Sequence, residues 1–366
     1  MRIAYIVLKG MPLGGGIEKY TEEIGSRLAE RGHDIIVYTM KHYGANGELY
    51  RGMRIINIPT LKTKSLEKII ASFIATLYQC FERNLDIVHF HAFGPAMFSI
   101  IPRLLGRKVV VQGHGLEWKR SRWKTFGRLF LKFTEIPSVK FPHIISVVSK
   151  VQQRYIREKY EKESVYIPTG VNPPQIQKPE LIRQRYKLQG NDYILFVARL
   201  VREKGAHYLI EAYKRINTSL KLVIAGDAKH EEVYRSELLK LSGGNNNIIF
   251  TGFVTGQLLN ELFSNSYIFV LPSIVEGLPT VLLEAMSYGN CCLVSDIEEN
   301  LEALNGHGYT FRNKDVDDLC VKLNDLISDP GAVQSVKEPA KEYVLTNYSW
   351  ENIASRFEEI YGKLLN

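Results

Sequence analysis

Residues 268–286 read Ile-Phe-Val-Leu-Pro-Ser-Ile-Val-Glu-Gly-Leu-Pro-Thr-Val-Leu-Leu-Glu-Ala-Met, and they decide the fold. Ile268–Leu271 is a brief apolar run closed by Pro272, the length of a buried strand rather than of a helix. Pro279 suits the first position of a helix, where a missing N–H costs nothing. Val281, Leu282, Leu283, Ala285 and Met286 then give that helix its apolar positions, with Glu284 among them. A strand that passes through a short loop into a helix is half of a β-α-β crossover, and crossovers build parallel sheets.

The same rhythm fills the chain on both sides. Tyr193–Ala198, Leu222–Ala225, Ile248–Phe250 and Cys292–Val294 read as strands. Helices fall near 205–216, 230–241, 256–264 and 279–288, and the tail from about Asp315 is helical. Towards the N-terminus, Ile3–Leu8, Ile35–Thr39, Ile87–Phe90, Val109–Val111 and Ile144–Val148 are further strands. Ile17, Tyr20, Ile24 and Leu28 recur at helical spacing before Gly32, and Leu66, Ile69, Ile70, Phe73, Ile74 and Leu77 form a second amphipathic helix. Only Ile167–Gly190, with Pro168, Pro173, Pro174 and Pro179, breaks the pattern, and it reads as a linker. At 366 residues the chain exceeds one ordinary domain. The expectation is an α/β protein of two Rossmann-like, doubly wound parallel-sheet domains, residues 1–170 and 171–348.

Composition narrows the class. No apolar run is long enough to span a bilayer, and MRIAYIVLKG reads as a first strand rather than a signal peptide. Cys80, Cys291, Cys292 and Cys320 form no CxxC pair, which suits a reducing compartment and apolar use of the thiols. A cytoplasmic location is therefore expected. Residues 1–170 carry 27 Lys and Arg against 14 Asp and Glu, whereas residues 171–366 carry 20 against 25. The basic half faces a polyanion or an anionic membrane on this reading. No nucleic-acid module accompanies the charge, so nucleic acid is not an expected partner.

Open parallel sheets bind ligands beyond the carboxyl ends of their strands, so the loops after the strands carry the candidates. Gly14-Gly15-Gly16 follows the first strand, either as an anion-binding approach to a helix N-terminus or as a flexible connection. It is neither GxGxxG nor a Walker loop, and the second strand ends in Thr39-Met40-Lys41 without an acidic ribose ligand, which argues against a nicotinamide enzyme. Arg199 and Lys204 follow a strand and open a helix, where two cations suit a diphosphate. Glu276 precedes the helix of residues 279–288, and Glu284 lies over one turn inside it. Amides of Gly277 and Leu278 at that helix start suit an anion or a hydroxyl-rich ligand. Asp315-Val-Asp317 spells a metal-binding DxD, but it opens a helical pattern and reads as a helix cap.

Jointly, Arg199 with Lys204, Glu276 with Glu284, Gly252-Phe-Val254, the Gly-rich loop with Ile17-Glu18, Asp86-Ile-Val-His-Phe-His91, Gly113-His-Gly115 and Ile167-Pro-Thr-Gly-Val-Asn172 resemble the retaining glycosyltransferases of family 4, including bacterial surface-polysaccharide enzymes. The resemblance covers nearly the whole chain and implies the GT-B fold, with a C-terminal helix at about 349–366 packing back on the first domain. It also implies that Arg199 and Lys204 hold the donor diphosphate, with Gly15 and Gly16 opposite. Glu276, Gly277 and Leu278 would grip the transferred sugar, Glu284 the ribose, and Phe253 and Val254 the base. His114 would lie beside the donor sugar, making His114, Glu276, Arg199 and Lys204 the catalytic set. Asn172 and Glu18 carry over less directly, Glu18 towards the acceptor. Leu278-Pro279 stands where many members have an aromatic residue and a glycine. The implied enzyme is a hexosyltransferase that takes a nucleotide-sugar as co-substrate and needs neither metal nor cofactor.

Trp118-Lys-Arg-Ser-Arg-Trp-Lys-Thr-Phe-Gly-Arg-Leu-Phe-Leu-Lys-Phe133 interleaves Lys119, Arg120, Arg122 and Lys124 with Trp123 and its neighbours. That pattern suits an anionic bilayer surface and a lipid-linked acceptor, or a helix packing its aromatics inward. A peripheral position at the inner face of the cell membrane follows from the first alternative. A sugar-nucleotide epimerase of the same fold and a non-catalytic nucleotide-sugar binder are the competing functions.

Overall fold

The computed structural model describes residues 1–11, 15–43, 49–60, 67–119, 123, 125–228 and 231–366. The chain divides into two compact units, Met1–Gly170 with Trp350–Asn366, and Val171–Ser349.

The first unit is built from β1 (Arg2–Leu8), α1 (Gly16–Glu30), β2 (Asp34–Met40), β3 (Leu49–Tyr50), β4 (Met53–Ile58), α2 (Glu67–Tyr78), β5 (Ile87–His91), α3 (Ile100–Leu104), β6 (Lys108–Gly113), α4 (Thr125–Lys140), β7 (Ile144–Val147), α5 (Lys150–Tyr160) and β8 (Val165–Tyr166). Its strands lie in the order β3-β4-β2-β1-β5-β6-β7-β8, and only β3 runs antiparallel to its neighbour. Alternation of side chains along the strands splits the core between two faces. Ile6, Ile36, Val88, Phe90 and Val111 bury against Ala71 and Ala75 of α2, Val139 of α4 and Ile156 of α5.

The opposite face is covered by α1 and by the last helix of the chain, residues Trp350–Leu365. That helix returns to the first unit and buries Trp350, Ile353, Ala354, Phe357 and Tyr361. Ion pairs fasten it to the C-cap of α1 and the turn beyond: Arg31 meets Glu358 at 2.7 Å, His33 meets Glu358 at 2.8 Å, and Arg31 also meets Glu351. The indole of Trp350 occupies the space a Cβ on Gly170 would need, at 2.6 Å, so only glycine fits there.

The second unit contains α6 (Leu181–Tyr186), β9 (Tyr193–Val197), α7 (Ala206–Tyr213), β10 (Lys221–Ala225), α8 (Glu232–Ser242), β11 (Ile248–Gly252), α9 (Gly256–Ser264), β12 (Ile268–Leu271), α10 (Thr280–Ser287), β13 (Cys291–Ser295), α11 (Glu298–Leu304), β14 (Tyr309–Phe311), α12 (Val316–Ser328), α13 (Pro330–Ser335) and α14 (Lys337–Asn347). The returning helix is α15. The six strands are parallel, in the order β11-β10-β9-β12-β13-β14. One face buries Phe196, Ile224, Val270 and Leu293 against α7, α8 and α12.

Two local expectations need correction. The linker Ile167–Gly190 contains α6, whose start is held by the Glu261 carboxylate accepting the Ile182 amide at 3.0 Å. Pro279 is the N-cap of α10 rather than its first residue, with ψ of 86° outside the helical range.

Candidate active site

In a doubly wound sheet the ligand crevice opens where the strand order reverses, because adjacent connections leave in opposite directions there. In the second unit that point lies between β9 and β12. The loop after β9 carries Arg199 and Lys204, and the loop after β12 carries Glu276. The two loops touch through their backbones: the Ile274 amide donates to the Glu203 carbonyl at 2.8 Å. Gly205 has φ of +72°, and a Cβ on it would stand 2.0 Å from the Pro272 carbonyl oxygen. Glycine is thus the condition for bringing the loops together.

That approach joins the two charges. Lys204 Nζ lies 2.5 Å from Glu276 Oε1, with side-chain exposures of 15% and 8%. Arg199, earlier on the same loop as Lys204, is exposed. Neither the Gly277 nor the Leu278 amide donates to a backbone carbonyl among the described residues. Glu284 lies in the second turn of α10. It is half-buried rather than enclosed, while Leu282, Leu283, Ala285 and Met286 take the core positions around it. On the adjoining strand end, Gly226 has φ of +152° and a Cβ there would meet the Ala198 carbonyl at 1.8 Å. Its amide donates to the Gly252 carbonyl at 2.9 Å, ahead of Phe253, which is 67% exposed, and half-buried Val254.

In the first unit the order reverses between β1 and β5. Gly15 caps α1, and Gly16 is its first residue. Glu18 is buried, accepts the Lys9 amide at 3.2 Å, and lays its other carboxylate oxygen against Gly15, 1.9 Å from where a Cβ would stand. A carboxylate at a helix N-terminus is favourably placed, so Glu18 ties the loop together. His114 follows β6 and is half-buried. His91 Nδ1 lies 3.2 Å from His114 Nε2, and the Tyr20 ring stands perpendicular to the His114 imidazole at 4.7 Å. Asn172 is exposed just beyond the first unit. His89 and His91 were quoted above only as part of a motif. Their alternation along one strand face is the signal that could have singled them out.

Gly14, Arg120, Arg122, Lys124 and the Lys119 side chain lie outside the described residues. Around them, Trp118 turns inward, its indole donating to Glu135 at 3.1 Å with Lys132 over its ring at 4.5 Å. The Trp123 ring lies where a Cβ on Gly127 would stand, at 2.8 Å. Phe130 is half-buried, but α4 presents Phe126, Leu129, Phe133 and Ile136 to solvent with Arg128, Lys132 and Lys140, and its one acid, Glu135, is buried. No helix among the described residues is long and apolar enough to cross a membrane. The Asp315 carboxylate caps α12 by accepting the Asp318 amide at 2.9 Å, and Asp317 pairs with Arg215 at 2.7 Å.

Two doubly wound sheets, each with polar groups at its point of strand reversal, are the architecture of the GT-B fold. Residues 14–175 match the family model described as Glycosyltransferase Family 4, and residues 177–343 match Glycosyl transferases group 1. Together the two matches cover most of the chain, which is a glycosyltransferase similar to those of family 4. It is 28% identical to an Escherichia coli UDP-Gal:α-D-GlcNAc-diphosphoundecaprenol α-1,3-galactosyltransferase, covering 92% of this chain and 88% of that one. It is 26% identical to the GDP-mannose-dependent α-(1-6)-phosphatidylinositol monomannoside mannosyltransferase of Mycolicibacterium smegmatis, covering 95% of each. The sucrose-phosphate synthase of Thermosynechococcus elongatus shares the fold, with a TM-score of 0.85 at 20% identity over 99% of this chain and 98% of that one.

Proposed function

We propose that this glycosyltransferase moves a hexose from a nucleoside-diphosphate sugar to a hydroxyl of a lipid-linked or polysaccharide precursor, with retention of configuration and without a metal ion. The observation that carries the reading is the Lys204–Glu276 pair at the strand reversal of the second unit. It sets a cation for phosphate beside a carboxylate for sugar hydroxyls, the two functions that a nucleotide-sugar requires of one pocket. Arg199, Lys204 and the Gly277 and Leu278 amides would meet the charge that grows on the diphosphate as the anomeric C–O bond breaks. Glu284 would take the ribose, and the exposed Phe253 ring with Val254 the base. His114 and the Gly15–Gly16 helix start would serve the reaction from the first unit.

Retention follows from a front-face route. The acceptor oxygen bonds to the anomeric carbon on the side that the diphosphate leaves, and the departing phosphate oxygen takes the acceptor's proton. No side chain forms a covalent intermediate in this scheme. Two relatives support the donor and acceptor classes, because one is named for a UDP-sugar and the other for a GDP-sugar, and both for lipid-linked acceptors. The exposed apolar and basic face of α4 suits the surface of an anionic bilayer, where such acceptors reside.

A panel of UDP-, GDP- and ADP-sugars with undecaprenyl-diphosphate-linked acceptors tests the proposal. One donor should release nucleoside diphosphate at a rate that chelation of divalent ions leaves unchanged. Strict dependence on a divalent ion, or a trapped glycosyl-enzyme, would overturn it.

A further inference from the structure

His89 and His91 lie two residues apart on β5, so both imidazoles enter the same face of the sheet. They are 1% and 2% exposed. The His89 and His91 rings stack at 4.5 Å with 22° between planes, and His91 meets His114 edge to edge, with ring centroids 5.5 Å apart and 28° between planes. The far end of this ladder is closed by α15, where the Tyr361 hydroxyl lies 2.6 Å from His89 Nδ1. Tyr5 and Tyr20 stand edge-on to His91 at 5.2 and 6.1 Å.

The backbone around the ladder is constrained as well. Ala92, directly after His91, has φ of +86°, a region that costs a residue with a Cβ of the order of 1–2 kcal/mol. It directs Phe93 onto Gly113, whose absent Cβ would lie 2.8 Å from the Phe93 ring. Gly115, on the other side of His114, has φ of +136°. His114 is therefore delivered to His91 by a turn that tolerates little else.

Burial, and then the neighbouring His114, hold His91 far below the ordinary histidine range, and burial does the same for His89. A neutral imidazole carries one proton, and the contact between His91 Nδ1 and His114 Nε2 needs one proton. His91 Nε2 is buried without an acceptor. Placing the His91 proton there would orphan a buried N–H, the rarer and costlier kind of unmet polar group. Placing it on Nδ1 leaves only a bare lone pair in that position.

We propose that His91 is a positioning residue whose Nδ1–H donates to His114 Nε2 and so fixes His114 as the Nδ1–H tautomer. With Nε2 occupied in this way, His114 is not a general base through Nε2, and its one proton sits on Nδ1. This rests on His114 serving the transfer as proposed above.

The test is nitrogen NMR of the full chain with 15N-labelled histidine, in which protonated and bare ring nitrogens resonate far apart. His114 should show a protonated Nδ1 and a bare Nε2. His91→Asn, which keeps a donor near the Nδ1 position, should preserve that signature, and His91→Leu should shift it towards a mixture. Turnover should follow the signature. His91→Leu should lose about 10- to 100-fold in kcat, the scale found when the hydrogen-bond partner that orients a metal-bound histidine is removed, with donor KM little changed, and His91→Asn should recover most of it. A His114 protonated on Nε2 in the unaltered protein overturns the proposal even if His91→Leu fails to fold. Equal loss in His91→Asn and His91→Leu with an unmoved signature overturns it too. Full turnover by His114→Ala would instead sink the assignment of His114 to the site, a separate result read from kinetics alone.

Discussion

Breaking the Lys204–Glu276 pair gives the most discriminating prediction. At 2.5 Å and an effective dielectric near 20, two unit charges attract by about 6–7 kcal/mol before desolvation is counted. Desolvation of two mostly buried groups cancels the larger part. Removing one partner of a buried pair costs roughly 3–5 kcal/mol, and the residual exposure here places the coupling at about 2–3 kcal/mol. Lys204→Met and Glu276→Gln should each lower the melting temperature of the second unit, by about 2–4 °C per kcal/mol. The double variant should lose less than the sum of the two. Donor binding should separate the partners further. Lys204→Met removes a charge-assisted bond to diphosphate worth about 1.5–3 kcal/mol, hence a loss of roughly 10- to 150-fold in affinity. Glu276→Gln removes a carboxylate that repels phosphate, so bare nucleoside diphosphate should bind as tightly or more tightly while the complete nucleotide-sugar binds less well. Urea melts and calorimetric titration with UDP, GDP and their sugars read both quantities. Additive single effects, or equal weakening of bare nucleoside diphosphate by both substitutions, would refute the reasoning.

Three further outcomes follow from the same structure. His89 and His91 are kept neutral by burial. The unfolded chain binds their protons below pH about 6.5 while the folded chain does not, so stability should fall on acidification, by up to about 1.4 kcal/mol per histidine per pH unit. Urea melts of the first unit at pH 7.5 and 5.5 measure this, and a flat profile would contradict it. Gly226→Ala should cost about 2–4 kcal/mol, because it forces both an unfavourable φ and a clash with the Ala198 carbonyl. It should also weaken donor binding through the adjacent Arg199, as titration would show. In α15, Trp350→Ala should cost about 3–5 kcal/mol, whereas Gly362→Ala, which meets nothing within 4 Å, should stabilise by about 0.5–1 kcal/mol. Differential scanning calorimetry distinguishes the two by the sign of the shift.

The parts of this molecule that could be read from residues alone are those governed by local periodicity. β1, α1, β12 and α10 emerge within a residue or two of their bounds because apolar spacing and breakers agree there. Gly205 is different: its glycine is visible, but its reason, the Pro272 carbonyl, lies on another loop. α6 was hidden because its six residues carry little periodicity and its N-terminus is satisfied by Glu261, distant in sequence. Among the site residues, loop position after a strand was legible for Arg199, Lys204 and Glu276. Their ion pair was not, since it depends on which two strands become neighbours. Glu284 stands among apolar neighbours in the sequence, but helical geometry turns those neighbours inward and leaves the carboxylate at the margin. The histidine ladder needed Tyr361, which follows His89 by 272 residues.

The return of α15 to the first unit also orders the birth of the protein. A ribosome adding about 5–20 residues per second spends roughly 10–40 s on residues 171–366 after the first sheet has emerged. Throughout that interval Tyr5, Tyr20 and His89 lack the cover that Trp350, Phe357 and Tyr361 later provide. The second unit has all its strands and can close first, although it is synthesised later. A nascent chain of this kind spends its youth with an open aromatic seam, and its dependence on chaperones should be greatest before Trp350–Asn366 is translated.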